Sequence, residues 1–241
     1  MRDLLIGALG SILGSIATFF ALRFYTGGKY FGGLYKLVRL IRDCSTAGVI
    51  NVFPSRKTYL QHKDHGTAAE YIRKCDHSLY YVGYWLASSI SFGQILKSFK
   101  ALLERQTSVT VVFIDPDNRE ILETCSKYLG ITPGELRGRI QYSIEQVTKL
   151  KASLKAEDQK YLTIKLHNVP LSASAFVIQQ TDPRETRVLM DHKLYSLCRD
   201  ESYGLELKDA SKEITQKAMQ SYLEICREAA DYKSADTSQH A

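Results

Sequence analysis

The chain opens on Leu4–Leu22, nineteen residues without a charge, set between Asp3 and Arg23. As a helix this stretch would be roughly 28 Å long, close to the thickness of a bilayer core. From about Gly48 the pattern changes to short apolar runs that alternate with segments apolar at helical spacing. Val49–Phe53 predicts a strand ended by Pro54, and Thr67 with Glu70 predicts a capping box opening a helix. Ser78–Gly83 predicts a second strand and Phe92–Arg105 an amphipathic helix with Ile95, Leu96, Phe99, Leu102 and Leu103 on one face. Ser108–Ile114 is a nearly continuous apolar run of the kind that parallel sheets bury. Glu120–Leu129 and Gly134–Leu154 predict helices. Leu162–Leu166, Ala173–Gln179 and Thr186–Met190 predict strands, with Thr181-Asp182-Pro183 turning between the last two. Ala210–Tyr232 predicts a closing helix.

This order predicts a single α/β domain, a mixed sheet flanked by helices, over residues 48–232. Before it lie a transmembrane anchor, residues 1–24, and a basic, aromatic juxtamembrane linker, residues 25–47. A polar tail, residues 233–241, follows. A cleaved signal peptide competes for the leader. Its n-region is only Met1-Arg2-Asp3, and Thr18-Phe19-Phe20-Ala21 puts large aromatics where cleavage needs small residues. An uncleaved signal anchor is therefore expected. Gly10 and Gly14 form a GxxxG pair, with Gly7, Ser11, Ser15 and Thr18 prolonging the small stripe, which suits helix pairing in lipid. Gly27-Gly28 and Gly32-Gly33 interrupt the linker, and Leu34–Arg42 reads as a short amphipathic basic helix. Tyr25, Tyr30, Phe31 and Tyr35 among Lys and Arg suit a headgroup interface, so membrane lipids are an expected partner.

Composition sharpens this picture. Of 241 residues, 44% are hydrophobic and 24% charged, which excludes a wholly disordered chain. The net charge of +6 is not spread evenly. Residues 1–60 hold eight basic and two acidic residues, so residues 61–241 balance at 24 of each. A nucleic-acid binder should carry its excess over the folded domain. Here the excess flanks the hydrophobic leader, and the positive-inside rule places the bulk of the chain in the cytoplasm. The five cysteines are odd in number and form no CxxC, so free thiols and no zinc or other metal site are expected. Nothing calls for a cofactor.

Ligands in open α/β sheets bind where strands finish. Those positions hold Ser55-Arg56, Tyr84-Trp85, Asp115 with Asp117-Asn118, and His167-Asn168. Arginine and hydroxyls can hold a phosphate, and a histidine nearby can move a proton. Each also has a plain structural role open to it: Asp117-Asn118 as a helix cap, Trp85 as core, Arg56 against lipid headgroups, His167 as loop decoration.

The succession Leu79–Gly83, Phe92–Arg105, Val109–Ile114, then a helix, Leu162–Leu166, the paired strands Ala173–Gln179 and Thr186–Met190, Tyr203–Leu207 and a last helix resembles one half of a phospholipase D-like domain. The resemblance covers roughly residues 66–230 and implies that family's α/β fold and its HxKxxxxD signature. The signature's histidine attacks phosphorus, its lysine holds phosphate oxygens and its aspartate orients. Those places fall on Ser172, Ser174 and Gln179, and none of the three residue types is present. The small polar positions after the next strand fall near Asp191-His192, also without a match. Gln61-His62-Lys63-Asp64-His65 has the letters but not the spacing.

Two functions follow. Without an imidazole and a cation, a phosphohistidine route has no nucleophile and no oxyanion partner. The leading expectation is a membrane-anchored pseudoenzyme that senses or scaffolds a nucleotide or lipid phosphate through Ser55, Arg56, Trp85, Asp115, Asn168, Ser172 and Ser174. By likeness of architecture it would be an effector in bacterial defence or stress signalling. The alternative is an active phosphodiesterase, a phospholipase or nuclease, rescued by His167 or His192 with Lys165 or Lys193 as cation. It would work as a homodimer held by Gly10/Gly14 and the soluble domain. A third reading has the domain dock only an unknown protein partner.

Overall fold

The computed structural model describes residues 29–53, 68–86, 92–192 and 203–233. The predicted anchor Leu4–Leu22 lies outside them. Among the described residues no helix is long and apolar enough to cross a membrane.

Two units are present, residues 1–46 and 47–241. Helix α1 (Lys29–Ala47) is described and, but for its last residue, belongs to the first. It runs through Gly32-Gly33, which correct the expected interruption: a glycine pair costs a helix only about 2 kcal/mol, less than a proline would.

The second unit is built on an eight-stranded sheet: β1 (Val49–Phe53), β2 (Ser78–Gly83), β3 (Ser108–Ile114), β4 (Leu162–His167), β5 (Ala173–Gln179), β6 (Arg187–His192), β7 (Tyr203–Lys208) and β8 (Ala230–Asp231). Their order is β1-β7-β6-β5-β2-β3-β4-β8. The adjacent strands β2, β3 and β4 run parallel, and every other pairing is antiparallel. Pattern explains position. β3 and β5 are apolar at nearly every residue and lie buried on both faces, whereas β1 alternates exposed and covered residues at the sheet edge.

The connecting helices are α2 (Ala68–Arg73), α3 (Phe92–Leu103), α4 (Arg119–Leu129), α5 (Pro133–Ala152), α6 (Ala156–Gln159) and α7 (Glu213–Glu228). Helix α7 crosses one face. Its Met219 sulfur accepts from Gln179 Nε2 at 3.7 Å, and the Cys226 carbonyl accepts from Lys165 Nζ at 3.0 Å. Helix α2 lies over the other face, where the Arg187 guanidinium stacks 4.6 Å from the Tyr71 ring centroid. Ser98 of α3 donates to the Ala69 carbonyl at 2.9 Å, tying α3 to α2.

Local signals set the ends. Asn118 caps α4 by accepting from the Ile121 N–H at 3.2 Å, and Gly130 ends it at φ 66°. Thr132 accepts from the Glu135 N–H ahead of Pro133 and starts α5. The closing helix is shorter than its apolar pattern predicts. Asp209 at φ 74° with an Asx turn to Ser211 delays its start. Beyond Glu228 the chain extends, so that Ala230 and Asp231 pair with the open side of β4.

Candidate functional site

The carboxyl ends of β2, β3 and β4 lie beside the amino end of β5, and strand register decides which side chains share a face. Tyr81, Gly83 and Phe113 fall on one face with Phe176 and Ser174; Val82, Ile114 and His167 fall on the other with Ala175. Ser174 therefore projects toward the face opposite to His167.

On the serine face, Ser174 is buried and stands across from Asp191 of β6, also buried. Ser172 is exposed. Beside Ser174, at Gly83, lies Tyr81. Its ring packs 4.8 Å from Phe176 and 5.9 Å from Phe113, and its hydroxyl donates to the Trp85 carbonyl at 2.8 Å. The phenol occupies the room that Gly83 leaves. A Cβ on Gly83 would sit 2.6 Å from Tyr81 Cζ and 2.8 Å from Ser174 Oγ. Glycine is needed there for this close approach. An aromatic roof thus covers the strand end beside Ser174.

Trp85 is buried, with the Arg139 guanidinium 5.2 Å from its ring. Arg139 is also paired with Glu135 at 2.5 Å. The Leu86 N–H donates to Ser143 Oγ at 3.1 Å, which fastens this segment to α5. Farther along the same face, Glu206 is fully buried. It pairs with Arg187 and accepts from Asn51 Nδ2 at 2.6 Å.

On the other face, His167 is 3% exposed. Its Nδ1 accepts from the Val169 N–H at 3.2 Å, so the ring proton belongs on Nε2, which is buried and makes no well-aligned hydrogen bond, the Gly83 backbone being its neighbour. Burial is the main cause that pushes its pKa down to about 4, with weaker opposition from the Gly83 backbone. The imidazole is neutral at pH 7. Around this end, Tyr84 donates to the Leu171 carbonyl and Tyr222 to the Ala173 carbonyl at 3.3 Å; burial raises both phenol pKa values.

His192 stacks on Tyr203, ring centroids 4.8 Å apart. It shares a face with His167, but four strand spacings separate β6 from β4, roughly 19 Å. The two histidines do not meet within one chain. Lys165 reaches the carboxyl end of α7 instead of a strand-end cavity.

The remaining expected residues form loop struts. Asp115 accepts from the Asp117 N–H at 2.9 Å, Asn118 Nδ2 donates to Asn168 Oδ1 at 3.0 Å, and Asp117 pairs with Arg137 at 2.5 Å. Ser55, Arg56 and Lys193 lie outside the described residues, as do Gly10 and Gly14. Among the described residues no group of three or more His, Cys, Asp or Glu could hold a metal ion. Cys75, Cys125 and Cys226 are free and buried, with burial pushing each thiol up to about 11.

Sequence reasoning missed Tyr81, Gly83 and the Asn51–Glu206–Arg187 network. The available signal was a glycine closing an aromatic strand, which marks close approach without naming what approaches.

No protein-family model and no curated protein matches the chain. Solved structures similar to it include TrmBL2, an archaeal chromatin protein that binds DNA: 9% identity, TM-score 0.45, 93% of this chain and 69% of that one. Nuc, a phospholipase D family member from Salmonella typhimurium, is 13% identical with TM-score 0.44 over 71% of this chain and 95% of that one. Phosphatidylserine synthase from Haemophilus influenzae is 11% identical with TM-score 0.47 over 70% of this chain and 38% of that one.

Proposed function

We propose that the chain is a membrane-anchored, cytoplasmic phospholipase D-like domain that does not hydrolyse its ligand. It acts as a sensing or scaffolding effector for a phosphate-bearing molecule, a nucleotide or a lipid headgroup. The observation that carries this reading is the strand end beside Ser174. Serines occupy the two signature positions, and the Tyr81 phenol lies over Gly83 beside one of them, Ser174. A phosphohistidine step needs an imidazole and a cation converging on one phosphorus. His167 supports no such step, because its free nitrogen is buried on the opposite face.

The test uses the full chain in proteoliposomes. Bis(p-nitrophenyl) phosphate, phosphatidylcholine and single-stranded DNA should all remain uncleaved. A thermal shift with mono- and dinucleotides or soluble headgroups should raise the melting temperature for one class, since a ligand bound only by the folded state stabilises it. Turnover that disappears in His167→Ala or His192→Ala would instead establish the phosphodiesterase. No shift with any phosphate compound would leave protein docking as the function.

A further inference from the structure

Helix α1 exposes apolar side chains in a quantity that water alone does not tolerate well. Leu37, Val38, Leu40 and Ile41 are 51%, 56%, 60% and 59% exposed. With about 100° between successive residues, these four spread over roughly 160° of the helix circumference. Cys44 falls inside that arc. Arg39, Arg42 and Thr46 fall outside it, as does Lys36 by its sequence position. The one acid of the helix, Asp43, lies 3.6 Å from both Arg39 and Arg42. The polar side is therefore cationic on balance, with four basic residues against one acidic in Lys29–Ala47.

The width of the apolar arc discriminates between occupants. A second copy of the helix would need only a narrow seam, two positions in every seven. Half a circumference of apolar side chains flanked by cations is the pattern of a helix lying in a membrane interface, with its long basic side chains reaching the headgroups. We propose that α1 lies flat on an anionic phospholipid surface, with Leu37, Val38, Leu40 and Ile41 in the acyl boundary and Arg39 and Arg42 among the headgroups. This rests on the reading of Leu4–Leu22 as an anchor, which six residues separate from Lys29. It adds a lipid requirement: the anchor holds the chain to any bilayer, whereas α1 docks only where the surface is negative.

The experiment places an environment-sensitive NBD label at Ile41→Cys or at Thr46→Cys in a Cys44→Ser, Cys198→Ser background, in the full chain. The other three cysteines are buried with raised thiol pKa values and stay unlabelled. In phosphatidylcholine vesicles containing phosphatidylserine, the label at 41 should shift to the blue and be quenched by brominated acyl chains. The label at 46 should report water. Omitting phosphatidylserine should release the label at 41. Arg39→Gln with Arg42→Gln should weaken docking about 25-fold, each cation near an anionic surface counting for roughly fivefold. A label at 41 that reports water on phosphatidylserine vesicles overturns the inference. So does a blue shift that ignores lipid charge and is accompanied by energy transfer between copies, which makes a second chain the occupant. Carbonate extraction is run in parallel. A chain that washes off loses the anchor, whereas one that resists washing with a wet label at 41 loses only the docking of α1.

Discussion

The two faces of the sheet are closed at the same strand ends by opposite means. On the serine face, packing does it: a phenol lies over a glycine, between two phenylalanines, with its hydroxyl satisfied by the Trp85 carbonyl. On the histidine face, desolvation does it: an imidazole is kept neutral with one nitrogen bonded to backbone and the other enclosed. The first arrangement sets aromatic packing beside Ser174. The second holds a titratable group in a dry environment on the opposite face. The proposed loss of hydrolysis rests on this division, since a phosphohistidine step needs reach and reactivity at one point.

The largest test lies at the far end of the serine face. Arg187→Met leaves Glu206 buried without its cation and should destabilise the fold by about 3–5 kcal/mol in urea titration. A small loss there would mean that this face tolerates an unpaired charge and is wetter than packing implies.

The histidine face is tested by acid. The His167 pKa is lowered from 6.5 to about 4, so the unfolded chain takes up the proton first. Its contribution is complete above pH 6.5 and is lost as pH falls toward 4, by roughly 3 kcal/mol in all. His167→Leu should remove this part of the pH dependence when unfolding is compared at pH 7 and 4.5. An unchanged profile would mean that the imidazole is solvated and open to substrate.

Gly83→Ala should cost about 1–3 kcal/mol, because the new methyl displaces the Tyr81 ring and its bond to Trp85. Adding Tyr81→Phe should recover part of that loss in a double-mutant cycle. Full additivity would separate the two residues and remove the roof. Ser172→Ala, at an exposed position, should change stability by less than about 0.5 kcal/mol while weakening any phosphate-induced thermal shift.

Much of the scaffold was legible because burial on both faces leaves a simple trace. Ser108–Ile114 and Ala173–Gln179 are apolar along their length and sit at or beside the sheet centre, and Asn118 stands where a cap is wanted. The closing helix was overextended, because Ala229–Asp231 keeps helical character while its use is to pair with β4. The site was less legible. Whether His167 and Ser174 share a face depends on parity carried through β3 and β2, two neighbours away in the sheet. No window of sequence around either residue holds that information. The Tyr81 roof is equally non-local in its partners, since Phe113 and Phe176 come from other strands.

Strand β1 carries a consequence for biosynthesis. Its Asn51 turns inward to Glu206, while Val52, 63% exposed, turns outward; its partner β7 is translated about 150 residues later. Until then Val49–Phe53 is an uncharged strand with neither side hydrogen-bonded, the kind of segment that pairs with whatever edge is nearest. Maturation of this chain therefore waits on its final third, and a slow ribosome or an absent chaperone should show first as aggregates seeded at β1.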